Sequence, residues 1–215
     1  MRETSLSRIV AIVPARSLSG GKSRLGEPLD AEERADLVLA LLRRTVEQAL
    51  GATRLAGVVV VSEDAELLRQ ARAMGAASLL QDRPGLNEGL AEARAAADPE
   101  ATAIMVLPAD LPNIVASAID ELAEAAETAR LGAPDRPVVV LVPDRHGTGT
   151  NALLVAPPDT ISFCFGAESR ADHSAAARAA GATYVELAGP LTFDLDTPED
   201  LLEADRRGLD HEAGR

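Results

Sequence analysis

Apolar runs rich in Val, Leu and Ile alternate with amphipathic segments from one end of the chain to the other. The apolar runs predict strands over 8–13, 55–61, 77–80, 103–107, 138–142, 151–156, 184–187 and 191–195. The amphipathic segments predict helices over 30–50, 65–74, 86–97, 114–130 and 169–180, and a last helix that starts at Thr197. The unbroken valines at 58–61 are typical of a strand whose two faces are both buried.

The predicted helices carry end signals. Asp30 with Glu33 three residues later forms a capping-box pattern, and Gly75 follows the second helix as a terminator. Thr197 suits the cap of the last helix, with Pro198 in its first turn. These signals support the predicted helix boundaries.

Strands that alternate with helices predict an α/β fold with a mostly parallel sheet covered on both faces. There is no internal repeat or low-complexity tract, so we expect a single domain over 1–215, with frayed ends at 1–7 and 208–215. In such sheets, ligands bind beyond the carboxyl ends of the strands. The residues that follow the strands are therefore the candidates for function.

Composition and charge narrow the function classes. Aromatic residues make up only 2% of the chain, which disfavours base-stacking platforms for single-stranded nucleic acid. A net charge of −13 disfavours nucleic acid and anionic membranes as partners. No apolar run approaches the roughly 18 residues of a membrane span, and 1–7 lacks the features of a signal peptide. The lone cysteine, Cys164, is expected to be a buried core thiol, and a cytoplasmic location is expected.

A basic, glycine-containing loop follows the first strand. Gly20 and Gly21 allow a tight turn whose N–H groups can face an anion, and Lys22 and Arg24 add two positive charges. This combination suits a triphosphate, although the G-x-x-x-x-G-K-[ST] spacing of a P-loop is absent. A solvent-exposed basic loop is the alternative interpretation.

Three carboxylates follow strands at two distant places in the chain. Asp110 lies in a loop stiffened by prolines at 108 and 112. Asp194 and Asp196 are two residues apart, which places them on one side of an extended segment. Carboxylates so placed can share Mg²⁺, which takes a few of them and completes its shell with water and phosphate oxygens. Each aspartate alone also suits a turn.

Two further loops suit anions. The segment 144–151 contains two Gly-Thr pairs with hydroxyls and exposed N–H groups, and 165–170 runs into a helix N-terminus, which favours an anion. Arg170 and His173 could assist, but a solvated helix face is the favoured interpretation of both. His146 has no second histidine at a suitable spacing for a metal.

Six motifs together resemble the guanylyltransferases of deazaflavin coenzyme F-420 biosynthesis, which act on phosphoenolpyruvate or 2-phospho-L-lactate. The resemblance covers about residues 9–202. It is carried by Arg16 and Leu18 with the segment 22–25, by 85–87, by 107–112, by 147–154, by 165–166 with Ser169, and by 194–198. The block at 147–154 with the following Phe-Gly pair is its most specific part, whereas the basic loop and Asp110 are shared with molybdenum-cofactor and sugar nucleotidyltransferases.

The resemblance implies a three-layer Rossmann-like nucleotidyltransferase fold with a mostly parallel, mixed sheet. It assigns Mg²⁺ to Asp110, Asp194 and Asp196, and the phosphate and carboxylate of the acceptor to Thr150, Gly166 and Ser169. It places the nucleotide on residues of the first loop and the third helix, namely Arg16, Gly21, Lys22, Arg24, Leu86 and Asn87. The family often has Lys at the position of Arg16, which keeps the charge but changes the hydrogen-bond geometry.

The reaction that the resemblance implies joins two anions, GTP and a phosphorylated three-carbon acid. Lys22, Arg24 and Asp110 are the expected catalytic residues, because positive charge and a metal would reduce the repulsion between the anions. Two alternatives stay open: a related nucleotidyltransferase that acts on a molybdopterin or sugar phosphate, and a GTP-binding module without catalysis. We expect a monomer or small homo-oligomer, with no nucleic acid or membrane as partner.

Overall fold

A computed structural model describes residues 6–15, 29–195 and 200 and confirms the alternation of strands and helices. The strands are β1 (Ile9–Pro14), β2 (Leu55–Ser62), β3 (Ala77–Leu80), β4 (Ala103–Val106), β5 (Val138–Pro143), β6 (Thr150–Ala156) and β7 (Thr183–Glu186). The helices are α1 (Ala31–Gly51), α2 (Ala65–Ala73), α3 (Leu86–Ala96), α4 (Ala116–Gly132) and α5 (Ser169–Ala179), followed by a 3-10 helix, Pro190–Thr192.

The seven strands of the described residues form one mixed sheet in the order β3-β2-β1-β4-β6-β5-β7. β1 pairs in parallel with both β2 and β4, whereas β6 is antiparallel to its neighbours β4 and β5. Strands β2 and β3 extend the sheet on one side of β1, and β4 pairs with the other side of β1. The crevice between β1 and β4 is therefore the switch point at which open α/β sheets bind ligands.

Helices cover both faces of the sheet, so the expected three-layer α/β architecture is confirmed. Alternate residues of β1 point to opposite faces, with Ala11 and Val13 in one core cluster and Val10 and Ile12 in the other. The first cluster lies under α1, α2 and α4, and the second lies under α3 and α5. Burial of both faces accounts for the unbroken apolar runs in the strands.

The predicted end signals of the first two helices are confirmed. Asp30 accepts hydrogen bonds from the first turn of α1, and the carboxylate of Glu33 accepts one from the Asp30 N–H at 2.8 Å. Gly75 follows α2 with a φ of 96°, a conformation that glycine adopts without the steric penalty of a side chain. Within the described residues, no helix combines the length and apolarity that a membrane crossing requires.

Two predicted elements are corrected. α4 begins at Ala116 rather than at 114, because Val115 is extended and residues 111–114 form a turn closed by the Ile114 N–H and the Leu111 carbonyl. Residues 191–195 are not a strand: Pro190 starts a 3-10 turn after Gly189. The helix predicted from Thr197 lies outside the described residues except for Asp200, which is helical, buried and paired with Arg145.

Candidate active site

The sheet gathers several of the predicted site residues at one edge. The carboxyl ends of β1, β4 and β5 lie at this edge, and β6 starts there because it runs in the opposite direction. Asp110 follows β4 and Thr150 begins β6, so the two flank neighbouring strands. The predicted residues Arg16, Gly21, Lys22, Arg24 and Asp196 lie outside the described residues.

A main-chain hydrogen bond connects the segments that carry Asp110 and Asp194. The N–H of Leu195 donates a hydrogen bond to the carbonyl oxygen of Asp110 at 3.0 Å, so the segment after the 3-10 helix lies against the loop after β4. Both aspartates are half-buried. The geometry that joins them is a contact between loops, and not the strand that the spacing of Asp194 and Asp196 suggested.

The side chain of Asn151 connects Asp194 to the sheet. Its amide nitrogen donates to the carbonyl oxygen of Leu191 at 3.1 Å and lies 3.5 Å from an oxygen of Asp194. Asn151 itself is buried at the start of β6. Its side chain therefore positions the segment that carries Asp194.

The donor set at this point fits a hard divalent cation. Asp110 and Asp194 lie on backbone segments that contact each other and could offer carboxylate oxygens, and Mg²⁺ needs only one or two carboxylates when water and phosphate complete its shell. In the described part of the chain, no three His, Cys, Asp or Glu side chains are grouped as a metal site. The third predicted ligand, Asp196, is outside that part.

A second cluster at the same edge centres on His173, which is fully buried on α5. Its Nδ1 lies 3.0 Å from the hydroxyl oxygen of Thr150, and its Nε2 accepts a hydrogen bond from the N–H of Cys164 at 2.9 Å. The expectation that His173 lies on a solvated helix face is therefore wrong. Burial lowers the pKa of His173 to about 4, so the ring is neutral near pH 7.

The loop 161–168 brings Gly166 and Ser169 beside this histidine. The Ser169 N–H donates to the Gly166 carbonyl at 3.2 Å, and Ser169 is buried at the first turn of α5. Cys164 is half-buried with its sulfur 3.7 Å from the Ser162 carbonyl, so the prediction of a core thiol is wrong. The reason is that Cys164 lies in a loop over the second core cluster, and not in a strand.

The glycine-threonine loop between β5 and β6 is folded around Asp144, whose carboxylate accepts from the Thr148 N–H at 2.9 Å. A Cβ at Gly149 would come within 2.9 Å of an oxygen of Asp144, so a side chain at this position would displace the Asp144 carboxylate. Arg170 donates to the Gly147 carbonyl at 2.9 Å and pairs with Glu186 at 2.7 Å. These contacts hold the loop against the start of α5.

Asn87 connects α3 to the loop that carries Gly166. Its amide oxygen accepts from the Phe165 N–H at 2.8 Å, and its amide nitrogen donates to the Phe165 carbonyl at 3.0 Å. Leu86 is half-buried beside the second core cluster. Nucleotide contacts by Leu86 and Asn87 stay a prediction, and the structure adds a bond between the helix and the loop.

The sequence reasoning missed Asn151 and misjudged His173. For His173 a signal existed: Ser169, His173 and Ala177 are spaced by four residues and lie on one buried face of α5. These buried residues are polar or small, so no stripe of large apolar side chains marks the buried face in the sequence. For Asn151 the signal was its position at the start of an otherwise apolar strand. A buried side-chain amide at such a position needs a hydrogen-bond partner.

Comparison with known protein families adds a match over nearly the whole chain. The family described as "Guanylyl transferase CofC like" matches residues 9–213. A protein of Sphaerobacter thermophilus, named phosphoenolpyruvate guanylyltransferase, is 43% identical over 196 residues, which cover 90% of this chain and 91% of that protein.

Solved structures agree on the fold. A nucleotidyl transferase from Methanothermobacter superposes with a TM-score of 0.65 at 18% identity, over 94% of this chain and 97% of that chain. A Mycobacterium tuberculosis H37Rv protein in complex with manganese superposes with a TM-score of 0.51 at 19% identity, over 91% of this chain and 97% of that chain. At these identities the likeness concerns the architecture, and it confirms the nucleotidyltransferase-type fold.

Proposed function

Because this chain belongs to the family of CofC-like guanylyl transferases and is thus a nucleotidyltransferase, we propose that it transfers GMP from GTP to the phosphate of phosphoenolpyruvate. Pyrophosphate is the second product. The resulting guanylylated three-carbon acid is an activated intermediate of deazaflavin coenzyme F-420 biosynthesis. The choice of phosphoenolpyruvate rests on the name of the Sphaerobacter relative.

The transfer needs no general base. A phosphate oxygen of the acceptor attacks the α-phosphorus of GTP, the new P–O bond forms, and the bond from the α-phosphorus to the bridging oxygen breaks. The bridging oxygen leaves with the electron pair as part of pyrophosphate. The attacking oxygen is already ionised at neutral pH, so the main task of the protein is to bring two anions together and to stabilise charge on the leaving group.

The observation that supports this reaction most directly is the Leu195–Asp110 hydrogen bond. This bond holds the segment that carries Asp194 against the loop that carries Asp110, and the carboxylates of both residues would hold Mg²⁺ together with Asp196. When bound, the cation supplies positive charge that neutralises phosphate oxygens. The manganese complex of the Mycobacterium tuberculosis protein supports a divalent cation at this fold.

The acceptor would bind beside the metal position, where β6 and α5 begin. The hydroxyls of Thr150 and Ser169 and the N–H of Gly166 would donate to its phosphate and carboxylate oxygens, because both hydroxyls and exposed N–H groups suit anions. Lys22 and Arg24, with Arg16 and Gly21, would hold the triphosphate of GTP. The neutral His173 keeps the acceptor pocket free of a titrating charge near pH 7.

The test is product identification with the full chain. GTP and Mg²⁺ are incubated with phosphoenolpyruvate, 2-phospho-L-lactate, glucose 1-phosphate or no acceptor, while pyrophosphate release is followed and products are identified by mass spectrometry. We expect a GMP adduct of phosphoenolpyruvate as the dominant product. A preference for 2-phospho-L-lactate would replace phosphoenolpyruvate as the acceptor. A GMP adduct of the sugar would favour a nucleotidyltransferase that acts on sugar phosphates. GTP binding without pyrophosphate release would overturn the proposal.

A further inference from the structure

One buried imidazole lies among the three elements that carry predicted acceptor contacts. The Thr150 hydroxyl lies 3.0 Å from the Nδ1 atom of His173. The N–H of Cys164, two residues before Gly166, donates to the Nε2 atom at 2.9 Å. Ser169 lies one helical turn before His173 on α5. A single side chain therefore links β6, the loop 161–168 and the first turn of α5.

The hydrogen bonds determine the tautomer of this ring. The backbone N–H of Cys164 can only donate, so Nε2 must present its lone pair. The ring is neutral near pH 7, because burial lowers the pKa of His173 to about 4. A neutral imidazole whose Nε2 is unprotonated carries its hydrogen on Nδ1. The Nδ1–H group therefore donates to the oxygen of Thr150 at 3.0 Å, and it shares this hydrogen with the backbone carbonyl of Ser169.

This assignment sets the direction of the Thr150 hydroxyl. Its oxygen accepts from His173, so its own hydrogen is turned away from the ring and can be donated to another group. A hydroxyl that already accepts a hydrogen bond is also a stronger donor, because hydrogen bonds in a chain polarise one another. Thr150 is 8% exposed at the sheet edge, and the proposed function takes it as a contact of the anionic acceptor.

We propose that His173 is a positioning residue that fixes the Thr150 hydroxyl as a donor to an anionic oxygen of the acceptor and holds the loop of Gly166 through Cys164. This inference rests on the proposed function, since it takes Thr150 and Gly166 as acceptor contacts. His173 does not touch the reacting atoms. A histidine that only fills the core would support stability without favouring binding of one substrate over the other.

Two amide variants separate the two hydrogen bonds of the ring. The amide of glutamine reaches the position of Nε2, so His173→Gln keeps an acceptor for the Cys164 N–H and loses the donor to Thr150. The shorter amide of asparagine matches Nδ1, so His173→Asn keeps the donor and loses the acceptor. Steady-state kinetics are measured for both substrates in each variant, and the melting temperature is measured as a control for folding.

We expect His173→Gln to raise the KM for the acceptor by about tenfold, the effect of losing one well-oriented hydrogen bond to a charged group. The KM for GTP should change by less than about twofold, because His173 is not among the residues proposed to hold the nucleotide. His173→Asn should raise the acceptor KM by no more than about threefold, since its amide still donates to Thr150 and only the bond to the Cys164 N–H, which holds the loop of Gly166, is lost. An unchanged acceptor KM in His173→Gln, or equal increases for both substrates, would overturn the proposal.

A double-mutant cycle tests the route through Thr150. Thr150→Val removes the hydroxyl and keeps the shape of the side chain. In that background, His173→Gln should raise the acceptor KM no further, because residues that act through one contact are not additive. Full additivity of the two changes would show that His173 acts elsewhere and would contradict the inference.

The tautomer can be measured without altering His173. The chain contains three histidines, so a His146→Gln, His211→Gln variant labelled with ¹⁵N leaves one imidazole to observe. We expect a neutral ring with the hydrogen on Nδ1 at pH 7. An Nε2–H tautomer or an imidazolium would contradict the proposal, and this measurement does not depend on whether the amide variants fold. An inactive wild-type enzyme with every acceptor would instead count against the proposed function.

Discussion

The N–H of Leu195 donates a hydrogen bond to the carbonyl oxygen of Asp110 at 3.0 Å. This bond joins the loop after β4 to the segment after the 3-10 helix, and it uses only main-chain atoms. The side chain of Asp110 can therefore be changed without removing the contact that brings the two loops together. That separation allows the proposed metal role to be tested apart from folding.

Replacement of Asp110 by asparagine should abolish most of the transfer activity. Asp110→Asn removes a negative charge from the proposed cation site while the Leu195 bond persists, so we expect turnover to fall by about 100-fold or more, and the melting temperature is measured as a control for folding. Pyrophosphate release is measured over a range of Mg²⁺ concentrations. Asp159→Asn is the matched control, because Asp159 is exposed beyond the opposite edge of the sheet. Parental turnover in Asp110→Asn at limiting Mg²⁺ would rule out the assignment.

Addition of a methyl group at Gly166 should weaken acceptor binding selectively. A Cβ at this position would meet no protein atom within 4 Å, so Gly166→Ala should leave the melting temperature unchanged. If the acceptor approaches the backbone here, the methyl group displaces it, and we expect its KM to rise by about tenfold while the KM for GTP is kept. Gly57→Ala in β2 is the control, since its Cβ also meets nothing within 4 Å. Equal acceptor KM values in the two variants would show that no ligand approaches Gly166.

The strands were the most predictable part of the fold. A strand buried on both faces needs an apolar side chain at every position, and the runs in β4 and β5 have this composition. The direction of β6 could not be predicted, because an apolar run has the same pattern in either direction. That direction decides the site, since it places Thr150 at the edge where Asp110 lies.

The segment 191–195 shows where the alternation of polar and apolar residues misleads. The order Leu-Thr-Phe-Asp-Leu fits a strand, yet the Leu195 N–H bonds to the loop carbonyl of Asp110 and not to a neighbouring strand. Tertiary contacts of this kind leave no trace in local sequence. The segments that carry Asp110 and Asp194 contact each other through this bond, whereas the cation site predicted for their carboxylates stays a prediction.

The amide of Asn87 should stabilise the acceptor loop from a distance. Asn87→Asp keeps the shape of the side chain but places a carboxylate against the Phe165 carbonyl, which now lacks the donor at 3.0 Å. We expect the free energy of unfolding to fall by about 1–3 kcal/mol and the acceptor KM to rise. Urea unfolding and steady-state kinetics measure the two effects.

A second variant separates charge from bonding at this position. Asn87→Ala removes both bonds to Phe165 without adding charge, so its acceptor KM should also rise. The KM for GTP tests the other role predicted for Asn87. If only that KM increases in both variants, Asn87 is a nucleotide contact and its bonds to Phe165 have no effect on the acceptor.

The buried imidazole should make stability depend on pH. Burial lowers the pKa of His173 from 6.5 to about 4, against the opposing charge of Asp172. Between these values the unfolded chain binds a proton that the folded chain does not, so stability falls as the pH decreases, by about 2 kcal/mol from pH 7 to pH 5. Urea unfolding of wild type and His173→Asn at both pH values measures this term, since the variant has no titrating ring and should lose about 2 kcal/mol less. Parallel losses in the two proteins would mean that His173 titrates normally and that its ring is not held neutral by burial.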